Sequence, residues 1–210
     1  HYYGQVMFIL APKFVFSLLL CSRLASATAF SSHTTLKSAT DSFCSDPVTT
    51  EATYGPIELW DVSQVTSMSS LFENCNQNPN ITIWNVSSVT NMHRMFRNAS
   101  IFNRYIDAWD VSKVTNMQSV FYNAITFDQN IGGWDVSSVT SMNSMFSGAS
   151  SFNQDIGGWD LSSVIDVSFM FFGADSFNQD VGDLDVSFAT TMQGMFNGAN
   201  SFNQDIGGWD

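Results

Sequence analysis

Hydrolytic, nucleophilic or metal-assisted chemistry needs a dedicated set of groups: paired carboxylates, a Ser, His and Asp combination, or a cluster of metal ligands. The chain has three histidines, His1, His33 and His93. The first two lie in or beside an N-terminal address segment, and His93 has only Arg94 and Arg97 as charged neighbours in sequence. The carboxylates recur: Asp61, Asp110, Asp135, Asp160, Asp185 and Asp210 occupy one position of a repeated phrase, whereas a catalytic residue is normally unique. Two chemistries remain for such a series. In one, these Asp, with Asn153, Asp155 and their equivalents, accept backbone N–H groups at turns and form ladders between repeats. In the other, Asp155, Asp180 and Asp205 with Asn153, Asn178 and Asn203 supply calcium, which takes roughly six to eight oxygens. The GGxGxD phrase of calcium-binding repeat proteins is absent. Thr66, Thr90, Thr115, Thr140 and Thr190 form a single file interrupted by Ile165, where an ice-binding face wants two. Nothing here points to an enzyme, and no cofactor other than calcium is expected.

The elements that must position these residues follow from the repeat. Trp60, Trp84, Trp109, Trp134, Trp159 and Trp209 mark it, with Leu184 in the missing place, so the steps are 24 and then 25 residues. The consensus is WDVSSVTxMxxMFxxAxxFNQDIGG. A period of this length implies units that bury their apolar faces by stacking, so that length counts repeats and not domains. Composition agrees with a cored protein: 44% of residues are hydrophobic and 14% aromatic.

Within the repeat that starts at Trp134, the apolar residues Val139, Met142, Met145, Phe146 and Ala149 are spaced by threes and fours, which predicts a short helix over 140–147 with Ser137 or Ser138 as N-cap. Ile131, Trp134 and Val136 follow the LxxLxL spacing of a leucine-rich repeat, which predicts a strand near 134–137. The expected fold class is therefore an α/β solenoid: a leucine-rich-repeat-like, right-handed coil of 25-residue units, each a short strand plus a short helix. One ladder of Phe102, Phe127, Phe152, Phe177 and Phe202 and a second of the Trp residues should carry its stability.

The organisation reads in three parts. Residues 1–29 hold a signal peptide with a few residues upstream of Met7: an apolar run over 14–21, too short to span a membrane, and then small residues with cleavage after Ala27 or Ala29. Residues 30–59 form a linker and cap with a short helix near 36–44. Residues 60–210 form six coils and the start of a seventh, and the end at Asp210 reads as a truncation. Phe30 and the Ser/Thr-rich stretch after it also fit the plastid presequence of an alga with complex plastids.

Lys and Arg number 7 against 19 Asp and Glu, a net charge of −12, and no basic residue follows Lys113. Such a surface excludes nucleic acid as a partner. The cationic exceptions, Arg94, Arg97, Arg104 and Lys113, lie with Tyr105 in or beside the second coil and mark a partner contact there, set against ordinary surface drift. Cys44 and Cys75 would remain after signal cleavage. As an even pair in a secreted chain they suggest a disulfide worth roughly 3 kcal/mol, and as separate residues two buried thiols. The sequons at Asn80, Asn85 and Asn98 are glycosylation candidates in a eukaryotic secreted protein.

The phrases WDVSSVTSMNSMF (134–146) and FNQDIGGWD (152–160) resemble those of the BspA-like leucine-rich-repeat surface proteins of the mycoplasma type, a resemblance that covers 60–210, about 70% of the chain. The resemblance implies secretion or display at the cell surface and adhesion to an extracellular protein or glycan. The competing expectation is a structural spacer or stalk for a C-terminal domain.

Overall fold

The computed structural model describes residues 28–209. The expected signal peptide lies outside them but for Thr28 and Ala29, and the backbone of Ala29 bridges Asp61 in parallel. Helix α1, His33–Ser45, begins where the Ser32 hydroxyl accepts the Thr35 N–H at 3.3 Å. It buries Leu36, Ala39, Thr40 and Phe43, the i, i+3, i+4, i+7 stripe of one face. The expected cap helix near 36–44 falls inside it. Asp46 caps helix α2, Pro47–Tyr54, by accepting the Thr49 N–H at 3.1 Å, and Gly55 at φ +80° ends it. The two helices pack on each other and lead through a 3-10 turn, Ile57–Leu59, into the first coil. Cys44 of α1 is disulfide-bonded to Cys75 of that coil.

The coils are built from turns. In the one that starts at Trp134, Val139 N–H closes on Val136 O at 2.9 Å, Met145 on Met142 at 3.0 Å, Ser147 on Ser144 at 3.2 Å, Ala149 on Phe146 at 3.0 Å and Phe152 on Ala149 at 3.1 Å. Alternate N–H groups leave the coil: Met142, Ser144, Phe146 and Gly148 donate to Asp166, Ser168, Met170 and Phe172 of the next one at 2.7–3.0 Å. Turn closure and stacking thus share the backbone donors between them, which is how repeats without regular secondary structure bury their interior. The β-type pairing between coils is confined to isolated parallel bridges, Ser67 to Asn91, Asn116, Ser141, Asp166 and Thr191 in succession.

This overturns the expected α/β solenoid. The described residues contain no strand and no helix within the repeats, so the leucine-rich-repeat assignment does not hold. Steps of three, read as helical, are the signature of turns closed from i to i+3, which also return residues i and i+3 to one side. Helix over 140–147 is blocked by Ser144 at φ +55° and stopped by Gly148 at φ +71°. The same pair of left-handed positions recurs as Ser70 and Asn74, Arg94 and Asn98, and Ser119 and Asn123. The expected strand over 134–137 fails because Val136 O is spent on a turn, and the bridge lies further on, at Ser141.

The interior is aromatic. Phe72, Phe96, Phe121, Phe146, Phe171 and Phe196 form one column with ring centroids 5.5–5.6 Å apart. Phe102, Phe127, Phe152, Phe177 and Phe202 form a second at 5.9–6.1 Å. Within a coil the two columns stack at 3.9–4.0 Å. Trp60 and Trp84 stack on each other at 6.3 Å. Further along, each indole instead lies against a column Phe, as Trp109 against Phe96 and Trp159 against Phe146. No helix among the described residues is long and apolar enough to cross a membrane.

Candidate functional site

The recurring polar residues are occupied by the fold. Asp61, Asp110, Asp135, Asp160 and Asp185 each accept the N–H of the Ser two residues on, at 3.0–3.1 Å. The serine hydroxyl adds a second hydrogen bond at Asp110, Asp135, Asp160 and Asp185. At Asp110, Asp160 and Asp185 the Ser hydroxyl, then the Ser N–H, holds the carboxyl below its ordinary range. At Asp61 the Ser63 N–H leads.

A second series ties coil to coil. Asn103 accepts the Asp128 N–H, Asp128 the Asn153 N–H, Asn153 the Asn178 N–H and Asn178 the Asn203 N–H, all at 2.9–3.0 Å. Gln129, Gln154, Gln179 and Gln204 donate to the same oxygens.

This arrangement bears on calcium. Asn153 and Asn178 already accept two hydrogen bonds each through the oxygen they would offer an ion. Asp155, Asp180 and Asp205 each accept the N–H of the glycine two residues on, and Asn203 ends the described ladder. No group of three or more His, Cys, Asp or Glu among the described residues is gathered to hold a metal ion.

The cationic residues are dispersed. Arg97 donates to Glu73 at 3.0 Å and lies 4.9 Å over the Tyr122 ring. Burial raises the Glu73 pKa, but hydrogen bonds from Ser70 and Arg97 outweigh it and hold it below its ordinary value. Arg94 is exposed beside His93, whose pKa is lowered by burial and then by Arg94. Arg104 donates to Asn78 O, on another corner of the coil, where Tyr105 is 69% exposed. Lys113 is exposed at a third. His33, at the start of α1, lies 3.2 Å from Ser67 O and joins the cap to the first coil.

The three sequons differ. Asn80 is exposed. Asn85 is exposed and its carbonyl oxygen accepts from Ser87. Asn98 donates its amide to Asn74 and accepts from Asn123, inside an Asn ladder.

What sequence reasoning missed is a set of aromatic departures from the repeat. Tyr122 and Phe172 stand where the fourth coil has Ser147, and Phe169 where it has Ser144. With those two serines they line one surface concavity of about 250 Å³. The signal was legible: both positions vary from coil to coil, with Glu73, Arg97 and Asn197 in the file of Tyr122 and Phe172 and Arg94 in the file of Phe169, so an aromatic there has no place in the repeated core.

A family model described as Mycoplasma protein of unknown function, DUF285, matches residues 41–156 and 126–210. No curated protein and no solved structure matches the chain. Because the two matches together run through all the coils and cover well over half of the sequence, the chain belongs to the DUF285 family.

Proposed function

We infer that this chain is a non-enzymatic recognition module, secreted or displayed at a cell surface, whose lateral face contacts an extracellular protein or glycan. The observation that carries this reading is the division of labour among repeat positions. Core and ladder positions repeat almost letter for letter, while the departures, Arg94, Arg97, Tyr105, Lys113, Tyr122, Phe169 and Phe172, lie at side chains that reach the surface. A constant scaffold bearing variable surface residues is how repeat proteins build binding faces. The Cys44–Cys75 disulfide supports an oxidising compartment.

The test is binding of the purified full chain to arrays of extracellular-matrix proteins and of cell-surface glycans, read by surface plasmon resonance. Saturable binding to one class supports recognition. An array on which nothing binds would overturn it in favour of a spacer.

A further inference from the structure

We propose that the concavity between Tyr122 and Phe172 is a carbohydrate subsite that holds one neutral hexopyranose ring. The proposal rests on the recognition reading and names its ligand class. The third and fifth coils supply the walls, Tyr122 on one side and Phe169 with Phe172 on the other, and the fourth coil supplies a floor of Ser144 and Ser147. Phe121, Phe146 and Phe171, the residues just before Tyr122, Ser147 and Phe172, follow one another at 5.5–5.6 Å, so walls two coils apart are separated by about 11 Å. A ring sandwiched between two surfaces at carbon–carbon contact needs roughly 7–8 Å. One ring fits.

The walls are braced. Arg97, from the coil before Tyr122, lies 4.9 Å over the tyrosine ring and is itself held by Glu73. Phe169 and Phe172 meet edge to face at 6.1 Å.

Phe169 is also held at φ +57°, a left-handed conformation that is an outlier for a bulky aromatic. The same position in other coils is Ser70, Arg94, Ser119, Ser144 or Gly194, so the fold does not ask for an aromatic there. Gly194 in the next coil leaves space for it, since a Cβ there would lie 2.8 Å from the Phe169 ring. The left-handed backbone at this position is shared by every coil, so what is particular to the fifth coil is the bulky aromatic placed on it, a costly choice of the kind found at ligand clamps.

The chemistry of the lining selects the ligand. No charged residue lines the slot, in a chain of net charge −12, so recognition does not run through an ion pair. Ser144 donates its hydroxyl to Asn143, which leaves its lone pairs for a ligand hydroxyl, and Ser147 has no side-chain partner among the described residues. Aromatic walls over a hydroxyl floor suit a ring with apolar C–H faces and a hydroxylated edge. An aliphatic side chain would strip water from the serines and give them nothing back.

The test is saturation-transfer NMR of the full chain with cellohexaose, maltohexaose and mannohexaose at millimolar concentration, on wild type, Tyr122→Ser, Phe172→Ser and Phe169→Gly. The serine variants install what Ser147 already provides and keep the fold. Expected are binding of at least one oligosaccharide, a tenfold or greater loss of affinity in each serine variant at unchanged melting temperature, and in Phe169→Gly weaker binding with a higher melting temperature. Absence of binding to all three sugars, binding indifferent to Tyr122→Ser and Phe172→Ser, or a lower melting temperature in Phe169→Gly would overturn the subsite. The same variants on the protein and glycan arrays separate the two readings. Wild-type binding that survives Phe172→Ser sinks the subsite and leaves recognition standing, whereas a wild type that binds nothing sinks both.

Discussion

Trp159→Leu and Leu184→Trp are expected to change stability in opposite directions by similar amounts. Each indole N–H after that of Trp60 reaches back about one coil to a backbone carbonyl: Trp84 to Ile57, Trp109 to Ile81, Trp134 to Ile106, Trp159 to Ile131 and Trp209 to Val181, at 2.9–3.3 Å. At Leu184 the series is broken, and Ile156 O accepts only its turn bond from Trp159 N–H. The neighbouring surface has a concavity of about 360 Å³ lined by Leu184, Val186 and Trp209, so there is room for a larger side chain. A hydrogen bond of this kind contributes about 1 kcal/mol net. The additional indole surface, about 60 Å² at roughly 25 cal/mol per Å², contributes about 1.5 kcal/mol. Leu184→Trp should therefore stabilise by about 2.5 kcal/mol, and Trp159→Leu should cost about that much or somewhat more, since it also leaves a cavity. In a chain of this size these changes correspond to shifts of roughly 5–10 °C in Tm, read by circular dichroism. An unchanged or lowered Tm in Leu184→Trp, or an unchanged one in Trp159→Leu, would refute the assignment of the indole-to-carbonyl series as a source of stability.

Adjacent glycines should behave differently. A Cβ on Gly132 would lie 2.3 Å from Asp155 O, so Gly132→Ala should lower the melting temperature markedly, whereas Gly133 faces open space and Gly133→Ala should be neutral or slightly stabilising. The lowered carboxyl values of Asp61, Asp110, Asp160 and Asp185 contribute stability that is present above the ordinary carboxylate value of 3.8 and lost as pH falls through the lowered ones. Melting curves should decline below about pH 4, and less so in a combined Asp110→Asn, Asp160→Asn, Asp185→Asn variant. With the Asn153 and Asn178 oxygens occupied, millimolar calcium followed by EGTA should leave the melting temperature unchanged, and a chelator-reversible rise would refute that reading. Secreted from a eukaryotic cell, the chain should carry glycan at Asn80 and not at Asn98, whose amide is committed to Asn74. Peptide mass spectrometry before and after glycosidase treatment decides this.

The sequence by itself determined the period, the core and the polar exceptions. A 25-residue repeat of Trp, Val, Met, Phe and Ala leaves no other way to bury those side chains than to stack like on like, and the buried set follows the consensus until the last complete coil, where Met192, Phe196 and Phe202 are only partly buried. The cap helix was legible because α1 carries a helical stripe from Leu36 to Phe43 and a serine cap, signals that local chemistry enforces. The repeat's own backbone was not legible in the same way. Apolar residues three apart satisfy a helix and an i to i+3 turn equally, and the choice falls to the neighbouring coil, whose carbonyls take the N–H groups of Met142, Ser144, Phe146 and Gly148. A helix would have used those donors internally and left the next coil without partners, so left-handed residues such as Ser144 are held by the stack and not by their own propensity. The slot between Tyr122 and Phe172 was decided the same way. Residues 50 positions apart in sequence become facing walls only because two stacked coils separate them.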